Sequence, residues 1–196
     1  MDEAEAWPVF DLRKDDRDHG VEPRAVSDVS LIAVTRSFGK PVESWNEMEK
    51  AVAGYAVRAA AKLRRHALVA SAMQVFLQAN CFSKIDPQHV NHATFGIEAS
   101  ADSFVIMASA VRAAHRIWRE GYRYAKAGVV LLDLSAAREL PPSFFPSRDP
   151  QRSADLMRAL DAVNLRFGRN TSRPGIVAPH GLGHAPWRGS YLLQHP

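Results

Sequence analysis

Two short stretches hold the side chains best suited to gripping a polyanion. The first is Thr35-Arg36-Ser37-Phe38-Gly39-Lys40-Pro41, and the second is Gly121-Tyr122-Arg123-Tyr124-Ala125-Lys126-Ala127-Gly128-Val129. Arginine and lysine contact phosphates, serine and backbone N–H groups add hydrogen bonds, and none of these reads a base. The other titratable groups are less organised. His89 and His92 are three apart, and His180 and His184 flank Gly181-Leu182-Gly183. Metal ligation needs a third ligand on a rigid frame, which neither pair has in sequence. Gly181-x-Gly183 is too short for a phosphate loop, with no strand before it or helix after it. Asp15-Asp16 and Asp149 have no scaffold to aim them. No catalytic residue, metal or cofactor is expected.

Composition narrows the class. The chain has 196 residues, 46% of them hydrophobic and 23% charged, as in a globular domain with appendages. No apolar run approaches the ~20 residues needed to span a bilayer, and the acidic start is not a signal peptide. The single cysteine, Cys81, excludes an internal disulfide and a cysteine-based zinc site. It reads as a small loop or core residue, and the expected compartment is the cytoplasm. The net charge of +4 conceals a division, because residues 1–24 hold eight acids and four bases. The remainder therefore carries +8, which suits a polyanionic partner.

Periodicity supplies the elements that position the two stretches. Residues 1–29, charged and broken by Pro8, Gly20 and Pro23, read as a mobile leader. Residues 30–38 read as a strand stopped by Gly39 and Pro41. Ser44 with Glu47 forms a capping box for a helix to about Arg65, with Met48, Val52, Tyr55, Ala59 and Leu63 as its buried stripe. Residues 68–79 and 91–99 read as a pair of strands, the second alternating through Ala93, Phe95 and Ile97.

Ser100 or Asp102 caps a second helix to about Glu120, with Gly121 as its stop. Its expected core stripe is Phe104, Met107, Val111, Ala114 and Trp118, while Arg112, Arg116 and Arg119 form a separate basic stripe. Residues 122–134 form the last strand. Residues 135–152, with four prolines, read as a linker. A short helix from Ser153 follows, with Leu156, Leu160, Val163 and Phe167 on one side. The fold class is α+β, a split βαββαβ sheet with both helices on one face and the other face open. Alternation would put Tyr122, Tyr124 and Lys126 on one face, and Arg36 on that of Phe38. One parity must break, as a bulge would allow.

With Leu156-Met157, Asp161, Asn164 and Gly168-Arg169-Asn170-Thr171, the two stretches resemble the C-terminal part of bacterial Y-family translesion polymerases of the UmuC type. That part is the little finger domain, which grips duplex DNA, followed by a small C-terminal domain. The resemblance runs from about Ser30 to Thr171 and divides the chain into a leader (1–29), a little finger (30–134), a linker (135–152) and a C-terminal domain (153–196). It implies DNA contacts at Arg36, Ser37, Gly39, Arg123, Tyr124 and Lys126, on duplex or primer-template DNA. It also implies a clamp-binding peptide in the linker, at the place of Phe144 and Phe145. The acidic residues that hold the polymerase metals belong to the palm, which this sequence does not contain, so the chain reads as non-catalytic. The implied role is sequence-independent DNA binding in translesion synthesis and the SOS response. The alternatives are a module that meets the sliding clamp or other polymerase V components, or a truncated gene product.

Overall fold

The computed structural model describes residues 30–79, 87–139, 149–168 and 171–177. Its elements are β1 (Ile32–Val42), α1 (Trp45–Arg65), β2 (Leu68–Ala79), β3 (Val90–Ser100), α2 (Ser103–Ile117), β4 (Tyr124–Ala136), a 3-10 turn (Ala137–Glu139) and α3 (Pro150–Phe167). The strands form one antiparallel sheet in the order β1-β4-β2-β3. The expected split βαββαβ arrangement is present, and β4 enters between β1 and β2. The central strands β2 and β4 therefore carry the long apolar runs, as strands flanked on both sides should.

Both helices pack on one face, over Ile32, Val34, Met73, Val75, Leu77, Ala127, Val129 and Leu131. Phe95 and Ile97 of β3 join that core, as their alternation predicts. All five stripe residues of α1 are buried. Its capping pair also forms: the Glu47 N–H donates to Ser44 Oγ at 3.4 Å, and the Ser44 hydroxyl donates to Glu47 Oε2 at 3.0 Å.

Several boundaries differ from the sequence reading. β1 continues through Gly39 and Pro41 to Val42, because a register irregularity between Ser37 and Val42 admits a proline where no ladder N–H is required. α2 ends at Ile117, and Gly121 (φ 84°) serves the following turn. Its buried residues are Ile106, Ala110, Ala113, Ala114 and Ile117. Small side chains let α2 lie close to the alanine-rich α1, which pushes Phe104, Met107 and Val111 to the flanks. The segment read as a linker is shorter: its first residues continue β4 and the 3-10 turn, and α3 starts at Pro150 behind an Asp149 cap. The stripe on α3 is rotated too. Met157 and Leu160 are buried, whereas Leu156, Val163 and Phe167 are exposed.

Asp102 fastens the start of α2. Its Oδ1 accepts from the N–H groups of Phe104 (2.6 Å) and Val105 (3.4 Å), while Oδ2 accepts from the Ser153 hydroxyl of α3. Asp102→Ala should cost about 2 kcal/mol as a lost N-cap, and Asp102→Asn much less. Urea midpoints at constant m-value will check this.

Candidate nucleic-acid interface

The face opposite the helices is built by cross-strand rows. Thr35, Gly128, Phe76 and His92 stand side by side, and so do Ser37, Lys126, Gln78 and Val90. A further row holds Ala33, Val130, Gln74 and Thr94, with Gln74 Nε2 donating to Thr94 Oγ1 at 3.0 Å. The Phe76 ring lies across Gly128, so that a Cβ on Gly128 would meet it at 2.5 Å and the Thr35 methyl at 2.6 Å. Lys126 reaches over that ring, its Nζ 5.9 Å from the centroid. The result is a mixed surface in which hydroxyls, amides, an imidazole and an ammonium group alternate with Ala33, Val130, Phe76 and the exposed Val90. Its polar groups are of the kinds that can donate to phosphate oxygens.

Six residues were expected to contact a polyanion, and the structure distributes them over both faces. Ser37 and Lys126 are paired neighbours on the open face. Gly39 is exposed, as is the adjacent Lys40, where β1 spends five steps against two of β4. Arg123 is about half exposed and donates from Nε to Glu43 Oε1 at 2.9 Å. Such an exposed pair is weak enough for a phosphate to compete with.

Two placements lie away from the open face, the first as alternation with Phe38 predicts and the second against the expected parity. Arg36 shares its row with Ala127 and Leu77, on the helix side with Phe38. There it stands near Tyr55 and Arg58 of α1. Burial pushes the Tyr55 phenol up to about 12, against the pull of these two guanidinium groups, and burial followed by Arg36 lowers Arg58.

Tyr124 is buried, facing Val42 and Ala79. Its hydroxyl accepts from Arg119 N–H at 3.1 Å and lies 3.3 Å from the Arg119 carbonyl, to which it donates. Burial raises its pKa, the hydrogen bond to Arg119 opposing. The expectation that Tyr122, Tyr124 and Lys126 share a face fails for one reason. Tyr124 and Lys126 both find partners on β2, but the register shifts between Ala79 and Gln78 and leaves Ala125 as an extra residue. The bulge reverses the alternation there.

The paired histidines also separate. His89 stacks on Tyr122 with ring centroids 4.5 Å apart, and burial lowers its pKa with Arg119 adding to the shift. His92 instead stands on the open face. Among the described residues no group of three or more His, Cys, Asp or Glu could hold a metal ion, and no helix is long and apolar enough to cross a membrane. Phe144, Phe145, Cys81, His180 and His184 lie outside the described residues. Gln74, Gln78, His92 and Thr94 were not recognised in sequence, because strand pairing, invisible in one dimension, brings them onto the same face as Lys126.

Residues 30–141 match the impB/mucB/samB family C-terminal domain. The chain belongs to this family. The chain is 42% identical over 141 residues to Protein MucB of Salmonella typhimurium, a match covering 71% of this chain and 33% of the relative. It is 36% identical over 142 residues to Protein UmuC of Salmonella typhimurium strain LT2, covering 71% and 34%. The chain thus spans about a third of the length of the curated relatives it matches. Among solved structures it is similar to one described as a complex of beta-clamp processivity factor and little finger domain of PolIV. That match has 15% identity, a TM-score of 0.40, and covers 61% of this chain and 97% of the other.

Proposed function

We propose that this impB/mucB/samB domain grips the sugar–phosphate backbone of duplex or primer-template DNA through its open sheet face, independently of sequence. Its setting is UmuC-type translesion synthesis within the SOS response, in the cytoplasm. In this reading the phosphoryl-transfer chemistry belongs to other domains, and this one contributes grip alone. The observation that carries the proposal is the open face itself: it presents Lys126, Ser37, Gln78, Thr35, His92, Gln74 and Thr94, with both core helices packed behind the sheet. Ser37 and the backbone around Gly39 assist Lys126, while Lys40 and Arg123 flank the face.

Binding of this kind is weak and steeply salt-dependent, because it rests on counterion release. If Lys126, Lys40 and Arg123 each neutralise one phosphate, the log–log salt slope on duplex DNA should be about −2.7. Lys126→Ala should lessen that slope by about one unit and weaken all duplex sequences alike. Replacing Arg112 and Arg116 of α2 by alanine should change the slope far less. If the helix changes cost as much as Lys126→Ala, the sheet is not the binding surface.

A further inference from the structure

A second concave surface lies away from the open face. A groove of about 590 Å³ runs between β3 and α2. One wall is residues 93–98 of β3, and the other is the flank of α2 bearing Phe104, Ala108, Arg112 and Arg116. α2 turns back two residues after β3 ends, so it runs antiparallel to the strand. Phe104 therefore lies toward Glu98, while Arg112 and Arg116 lie about 12 and 18 Å further on, toward the start of the strand.

β3 is an edge of the sheet, hydrogen-bonded to β2 alone. The two edges of this sheet are built differently. β1 carries Lys40, Pro41 and a register irregularity, and the Lys62 ammonium donates to its Ala33 carbonyl at 3.4 Å. These are standard protections against the addition of another strand. β3 is 11 residues long and contains neither lysine nor proline, and its own register irregularity lies beyond Gly96, so the stretch from Val90 to Gly96 pairs regularly.

Its His92 N–H is taken by Asn91 Oδ1 at 2.9 Å, a contact with a neighbouring side chain and not a ladder bond. The N–H and C=O of a strand residue point to the same side and alternate along the chain, so Thr94 and Gly96 turn theirs outward with His92. A Cβ on Gly96 would meet only the Ser71 carbonyl oxygen, at 3.8 Å. Packing does not demand a glycine there, and its effect is to leave the edge backbone open.

Charge selects the occupant. Arg112 and Arg116 are exposed one turn apart, and neither has an ion pair or hydrogen bond among the described residues. We propose that an extended acidic segment of a partner protein adds to β3 as a fifth strand, its carboxylates meeting Arg112 and Arg116. Backbone pairing supplies the affinity and alternate side chains the selectivity, as in other strand-addition sites. A second copy of this chain is the poorer occupant, since two chains of net +4 repel.

The test uses the full chain and three labelled octapeptides: one alternating valine and glutamate, its lysine counterpart, and the glutamate peptide N-methylated at every other residue. The glutamate peptide should bind and slow hydrogen exchange at Thr94 and Gly96, and the lysine peptide should not. N-methylation should weaken binding by about tenfold or more, since it removes backbone donors without altering charge. Arg112→Glu with Arg116→Glu should weaken it similarly, with the circular dichroism unchanged because both side chains are exposed. Equal binding of parent and N-methylated peptide would overturn strand addition. Equal binding to the charge-reversed protein would overturn the acidic assignment, and so would no binding at all. Displacement of the peptide by duplex DNA in the Lys126→Ala protein would assign the groove to nucleic acid instead. Dimerisation lost on charge reversal would assign it to a second copy.

Discussion

Gly128→Val should destabilise the domain and flatten its DNA binding together. Gly128 sits in a central strand beneath the Phe76 ring, and a Cβ would stand 2.5 to 2.7 Å from ring carbons and 2.6 Å from the Thr35 methyl. Overpacking of this kind costs about 1–3 kcal/mol. The better strand propensity of valine returns about 1 kcal/mol at most, so the net sign is destabilising. The ring tip is the part able to move, and it must swing outward into the open face, carrying away the surface over which Lys126 lies. DNA binding should fall at least as far as in Lys126→Ala. The deciding measurement is a double-mutant cycle in urea. Phe76→Ala relieves the collision, so the two changes together should cost clearly less than their sum. Strict additivity would mean that the ring does not roof Gly128.

Arg64→Ala should undock α3 from an otherwise intact sheet. The guanidinium donates from Nε and NH2 to the two oxygens of Asp161, both at 2.7 Å, and from NH1 to the Ala101 carbonyl (2.8 Å) and Ser103 Oγ (2.9 Å). One planar group thus ties α3 to α1 and to the start of α2. Four charge-assisted bonds are lost, but Asp161 is 39% exposed and water takes up part of its charge. The net loss should be about 2 kcal/mol. That is roughly thirtyfold in the opening equilibrium. Amide exchange along α3 should accelerate by this factor while β2 and β4 stay protected. Arg64→Lys should recover less than half, because an ammonium cannot reproduce the planar fork. Uniform acceleration across the sheet would show that α3 is not a separate unit.

These two residues mark what a one-dimensional reading reaches. The α1 stripe and its Ser44–Glu47 cap were legible because 3.6-residue periodicity and local capping depend only on near neighbours. β3 was legible from its alternation, and α2 only in outline, since its alanine face was outweighed by larger apolar residues on the flanks. The order β1-β4-β2-β3 was not legible, and with it went the rows that join Lys126 to Gln78 and Phe76 to Gly128. Arg64 looked like one more cation on a basic helix. Its role appears only when Asp161, 97 positions away, folds against it. On the candidate interface, residue type singled out Lys126 and Ser37, and strand pairing sets them side by side on the open face. Arg36 lies on the side that its alternation with Phe38 predicts, whereas the bulge at Ala125 turns Tyr124 to the core.

The extra residue at Ala125 sets Tyr124, the first residue of β4, out of phase with the strand that follows. The aromatic end can therefore be spent entirely on the interior while the very next turn of the pleat delivers a cation outward. Ironing out the bulge with Ala125 kept would force Tyr124 and Lys126 onto one face, sending either a tyrosine into solvent or a lysine into the core. Deleting Ala125 would instead make the two neighbours and leave both where they are.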